Sequence, residues 1–122
     1  MKDLMTKHFS KWASKQNIPV NELAESLSEL KNGNFEANLG GHLYKKRIHF
    51  EGKGKRSGGR VIICYKQGDR AILVHGFAKN EKSNLSKKEL VVFKELSKVL
   101  LSFSIEAVNI AIENGDFIEV RS

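Results

Sequence analysis

Arg60–Phe77 reads RVIICYKQGDRAILVHGF, and this stretch decides the fold. Val61–Lys66 and Arg70–Phe77 are two runs rich in β-branched and apolar residues, the composition of well-buried strands. Between them stands Gln67-Gly68-Asp69, a tight-turn composition, so the two runs predict an antiparallel hairpin. Upstream, Leu43–Phe50 predicts another strand. It would set Leu43, Lys45, Arg47 and His49 on one face and Tyr44, Lys46, Ile48 and Phe50 on the other.

Helical periodicity flanks this β segment. Phe9, Trp12, Ala13 and Gln16 predict a first helix ending near Gln16, ahead of Asn17-Ile18-Pro19. Leu23, Leu27 and Leu30 predict a second, with Asn21 as N-cap and Gly33 as its stop, followed by a polar turn over Asn34–Gly41. After the hairpin, Ser86-Lys87-Lys88-Glu89 is a capping box opening a helix with a stripe of Leu90, Phe93, Leu96, Val99, Leu100 and Phe103. Ser104 caps a last helix that closes near Gly115, and Phe117–Val120 is a short edge strand or extended tail. The order ααβββαα predicts an α+β fold with one small antiparallel sheet flanked by helices.

The 122 residues predict a single domain over 1–122. One cysteine, Cys64, excludes an internal disulfide framework and suits a reducing compartment. The charged start MKDLMTKHFSKW lacks a signal peptide's apolar run, and no segment is apolar for long enough to span a membrane. These features predict a cytoplasmic protein.

Charge is focused. Between His42 and Arg60 stand Lys45, Lys46, Arg47, Lys53, Lys55, Arg56 and Arg60, against Glu51 alone. That stretch holds +6 of the chain's formal +7. Focused positive charge predicts an anion-binding site. The glycines Gly52, Gly54, Gly58 and Gly59 let backbone approach a ligand closely, yet no nucleotide motif fits. Gly54-Lys55 is followed by Arg56 where a P-loop needs Ser or Thr, a dinucleotide fingerprint finds Ser57 where glycine is required, and no GXXG pair exists. His8, His42, His49, His75 and Cys64 lack metal-ligand spacing, so neither metal nor cofactor is expected. Cys64, inside VIICY, reads as a small buried hydrophobe. In a meander, Arg60 at the start of one strand and Lys79 at the end of the next converge, with Lys53 and Lys55 above them, to make a concave cationic site. A second cluster, Lys79-Asn80-Glu81-Lys82-Ser83, borders it.

Four ordered pieces carry a family resemblance: Asn38-Leu39-Gly40-Gly41 through Lys45 and Arg47; Gly52 through Arg60; Gly68-Asp69-Arg70-Ala71; and Gly76-Phe77-Ala78-Lys79-Asn80-Glu81 through Asn84. Together, over about residues 8–112, they resemble the RelE/HigB-type toxins of bacterial type II toxin–antitoxin systems. The resemblance implies a microbial RNase-like fold, metal-independent cleavage of mRNA in the ribosomal decoding site, and neutralisation by a cognate antitoxin with a helix-turn-helix. Attack by the RNA's own 2′-OH needs a base, a partner for the phosphorane charge and an acid. The resemblance assigns Lys53 and Lys55 to base and phosphate roles, Arg60 and Arg56 to transition-state charge, and Lys79 to the leaving-group side. Lys45, Arg47, Arg56, Asn80 and Lys82 would bind RNA. Some relatives carry a tyrosine or histidine acid near the C-terminus, and neither type occurs after Asn84. Tyr65, beside Arg60 on the candidate strands, is expected to face the core. A non-catalytic RNA- or ribosome-binding domain is therefore the second reading. A DNA-binding regulator is the third, for which no basic recognition helix presents itself.

Overall fold

The computed structural model describes residues 1–49, 58–82 and 84–121. The expected hairpin is its centre: β4 (Gly59–Lys66) and β5 (Arg70–Ala78) pair antiparallel, with Lys66 opposite Arg70. The turn closes through Asp69 N–H to the Lys66 carbonyl (3.0 Å), and Gly68 takes the left-handed φ of +78° that the turn demands. β3 (Leu43–Ile48) lies antiparallel on β4's other side, as the alternation predicts.

Three further strands extend the predicted ααβββαα core. β1 (Lys2–Thr6) precedes the first helix and pairs parallel with β5. β2 (Ala37–Gly40) occupies part of the expected polar turn and edges β3, while β6 (Phe117–Glu119) edges β1. The described sheet thus has six strands in the order β2-β3-β4-β5-β1-β6, antiparallel except at β1/β5. The protein is α+β.

Helices cover both faces, which is why Val61–Cys64 of β4 and Ala71–Val74 of β5 are apolar and buried at every position. α1 (Lys7–Lys15) and α2 (Val20–Lys31) pack Phe9, Ala13, Leu23, Leu27 and Leu30 against Ile48, Val61, Ile63 and Leu73. α3 (Lys87–Leu101) and α4 (Ile105–Asn114) pack Leu100, Leu101, Val108 and Ala111 against Leu43, Ile62, Cys64 and Ile72. The capping box opens α3: Ser86 Oγ accepts from Glu89 N–H (3.1 Å), and the Glu89 carboxylate accepts from Ser86 N–H (2.8 Å). Ser104 caps α4, which ends at Gly115 as expected. Asn21 does not cap α2. The cap is Pro19, whose ring-fixed φ of −66° presets the turn and whose carbonyl accepts from Glu22 N–H (3.0 Å).

Two polar contacts lock α3 onto the sheet. Ser97, fully buried, donates Oγ–H to the Gly41 carbonyl (2.8 Å), and buried Arg70 donates to the Leu100 carbonyl at the helix's last turn (3.2 Å). A guanidinium there meets the negative end of the helix dipole. Among the described residues, no helix is long and apolar enough to cross a membrane.

Candidate nucleic-acid interface

Antiparallel pairing brings the start of β4 and the end of β5 together. Gly59 lies opposite Ala78, and Lys79 N–H donates to the Gly58 carbonyl (3.0 Å). Arg60 and Lys79 thereby line one cleft of about 490 Å³, with Arg47 and His49 from the end of β3 and Glu22, Glu25 and Glu29 of α2 opposite. The expected convergence of Arg60 with Lys79 is met. Lys53, Lys55 and Arg56 lie outside the described residues.

The described cations have partners that the basic stretch itself does not contain. Arg47 and Arg60 stand directly opposite each other on β3 and β4, on the sheet face that Lys45 shares. Two like charges in that relation repel. Glu36, one residue ahead of β2, answers all three: Arg60 Nε to Oε1 at 2.6 Å, Arg47 Nε to Oε2 at 3.7 Å, and Lys45 Nζ to Oε1 at 3.8 Å. Burial raises the Glu36 pKa, but the hydrogen bond and charge of Arg60, with the charges of Lys45 and Arg47, outweigh it and hold the carboxyl below its ordinary range. Lys46 alternates to the α2 side of the sheet, where it lines the same cleft and its buried ammonium meets Glu29 at 2.8 Å. Lys45 also donates to Asn84 Oδ1 (3.2 Å).

The second cluster divides. Lys79 and Asn80 are exposed in the turn after β5. Lys82 folds back, binding Glu89 at 2.5 Å with its ammonium 5.5 Å from the Phe77 ring centroid. That bond, with the Ser86 backbone, holds the Glu89 carboxyl down to about 2.

His75, an ordinary residue in the sequence reading, is a feature that reading missed. A bulge between Ile62 and Ile63 of β4 leaves Val74 unmatched and sets His75 opposite Ile62. Its ring stacks on His8 (5.9 Å, 5° between planes) and packs on Phe93 at 4.7 Å. Nδ1 is buried without a hydrogen-bond partner among the described residues, and burial pushes the imidazole's pKa below its ordinary value. No sequence signal marks it, because the bulge aims it. Tyr65 packs on the α1/α2 side, edge-on to Tyr44 at 5.8 Å, facing the core as expected. Cys64 is buried, and burial raises its thiol to about 11 despite the hydrogen bond of Ser97. Among the described residues, no three His, Cys, Asp or Glu side chains gather as a metal site.

No curated protein sequence matches the chain. The family described as "RelE toxin of RelE / RelB toxin-antitoxin system" matches residues 1–120, and the chain belongs to that family.

Proposed function

We propose that this RelE-family toxin is a ribosome-dependent, metal-independent mRNA endonuclease whose whole chain acts as one domain in the cytoplasm. In this reading the 2′-OH of mRNA in the decoding site attacks the adjacent phosphorus, and the 5′-oxygen leaves. Lys53 and Lys55 serve as base and phosphate ligand, Arg60 with Arg56 meets the phosphorane charge, and Lys79 stands on the leaving-group side. Lys45, Arg47, Asn80 and Lys82 hold the RNA backbone. The antitoxin partner, expected to carry a helix-turn-helix, would neutralise the toxin.

The observation that carries the reading is the cleft joining Arg60, Arg47 and Lys79 in a member of a toxin family. Guanidinium groups suit phosphate because their fork matches its oxygens, and preorganised donors act where charge develops. The test is a defined mRNA on programmed ribosomes, with new 5′ ends mapped by primer extension. Wild type should cut within codons, and Arg60→Ala and Lys55→Ala should each lose on the order of a hundredfold. Intact mRNA with wild type, or cleavage unaltered in Arg60→Ala, rejects the proposal. One observation favours a second reading: neither tyrosine nor histidine follows Asn84 to act as acid. A non-catalytic RNA- or ribosome-binding domain would bind ribosomes in the same assay and release no new ends.

A further inference from the structure

Glu36 lies outside the basic stretch, yet its backbone N–H donates to the Lys45 carbonyl (2.8 Å), which brings its side chain beside β3 and β4. Its neighbour Phe35 is held edge-on against Tyr44 (4.9 Å between centroids), which anchors the chain next to Glu36 by a contact that does not involve the carboxylate. Both carboxylate oxygens face cations: Arg60 and Lys45 on one, Arg47 on the other. A carboxylate and a phosphodiester offer a guanidinium the same pair of oxygens. One set of cations cannot serve both at once without setting two anions against each other.

We propose that Glu36 is a built-in competitor, which occupies Lys45, Arg47 and Arg60 in the free toxin and is displaced by an RNA phosphodiester. The inference rests on the RNA-cleaving reading for the identity of the anion, and adds a residue and a step to it. Before RNA arrives, Glu36 keeps the opposed pair Arg47/Arg60 together and reduces the positive charge of the free protein. On binding, the carboxylate rotates away and the phosphate inherits cations already gathered on one face. Glu36 is thus a positioning residue that costs RNA affinity.

The test is fluorescence anisotropy with a labelled single-stranded RNA of about ten nucleotides, within the usual footprint of a binding groove. Wild type, Glu36→Gln, Glu36→Asp, Arg60→Ala and the Glu36→Gln/Arg60→Ala pair are compared across a salt series. Glu36→Gln keeps shape and a hydrogen-bond acceptor while removing the charge. It should bind about fivefold tighter near 0.1 M salt, the factor that one unit charge makes at contact distance in water. Its log–log salt slope should steepen by about 0.7, one phosphate's worth for a single strand. Glu36→Asp, with the carboxylate drawn back, should fall between wild type and Glu36→Gln, and Arg60→Ala should abolish the gain. Equal or weaker binding by Glu36→Gln overturns the inference, since the carboxylate would then only prop Arg60. Absence of salt-dependent RNA binding in wild type and Glu36→Gln alike also overturns it. Tighter binding by Glu36→Gln without ribosomal cleavage by wild type would sustain this inference and reject the nuclease.

Discussion

Gly59→Ala should damage the fold and the cleft together, because Gly59 pairs with Ala78 where β4 and β5 border the cleft. A Cβ at Gly59 would stand 3.2 Å from both Ala78 Cα and the Phe77 carbonyl carbon, and would overlap the Phe77 carbonyl oxygen. Carbon atoms rest near 3.5–4.0 Å apart, and the obstacle is backbone, which cannot swing aside as a side chain does. The strands must therefore part, and the bond from Lys79 N–H to the Gly58 carbonyl (3.0 Å) is the first exposed to loss. Overpacking costs about 1–3 kcal/mol and each lost backbone bond about 1 kcal/mol. The expected total is about 2–4 kcal/mol. At roughly 4 °C per kcal/mol for a chain of this length, the melting temperature should fall by roughly 8–16 °C. Urea unfolding with unchanged m-value measures the stability loss. Ribosome-programmed cleavage at a temperature where the variant is folded measures the site, and a shift of about 1 Å between Arg60 and Lys79 should cost on the order of a hundredfold. Gly33→Ala is the control: φ is +90° and a Cβ there meets nothing within 4 Å, so it strains its own backbone without pushing on a neighbour. It should lose about 1 kcal/mol and keep its activity per folded molecule. Gly59→Ala within about 0.5 kcal/mol of wild type, a difference ordinary for a surface substitution, would refute the packing argument. Lost stability with undiminished cleavage would refute the link from strand spacing to the site.

Three other predictions concern charges held by the fold. Glu29→Ala strands the buried ammonium of Lys46 and should cost about 1–3 kcal/mol, less than a fully buried pair because Glu29 reaches solvent, whereas Lys46→Met should stay within about 1 kcal/mol; urea midpoints decide the ranking. His75 has a lowered pKa from burial, opposed by Glu89 and reinforced by His8 and Lys82, so the unfolded chain takes up its proton first. Stability should decline as pH falls below about 6.5, and His75→Leu should flatten that part of the pH–stability curve. Glu89, held at about 2 by Lys82 and the Ser86 backbone, contributes stability that is complete above 4.5 and lost as pH falls through about 2. Denaturation of wild type and Glu89→Gln across that range should show their difference shrinking toward the acid end; a constant difference would remove Lys82 and Ser86 as its cause.

The elements legible in the sequence are those whose patterns are local. The hairpin announces itself by two apolar runs about one turn, and α3 by Ser86 and Glu89 spaced to bond each other's backbone. β1 was illegible for a physical reason: it lies between β5 and β6 with helices on both faces, so Leu4 and Met5 are both buried and no alternation appears. Its five residues fall within the start that reads only as charged. β2 hid because an edge strand of four residues needs only one partner and no core, and its Asn and Gly content is that of a turn.

The candidate site was half legible, and the missing half changes its electrostatics. Counting charges along His42–Arg60 gives seven bases against Glu51, as though every cation awaited a ligand. Folding sends Lys46 through the sheet to Glu29 and draws Glu36 onto Lys45, Arg47 and Arg60, so the four described cations share two carboxylates from α2 and the approach to β2. Strand alternation already separates Lys46 from Lys45 and Arg47. Glu36 could be found only by knowing that residues 37–40 pair with β3, which is the strand the sequence conceals. A bare cationic groove would bind any polyanion in proportion to its charge. A groove with its own carboxylate rejects anions that cannot displace it, so the residue lowering affinity also sharpens the choice of what enters.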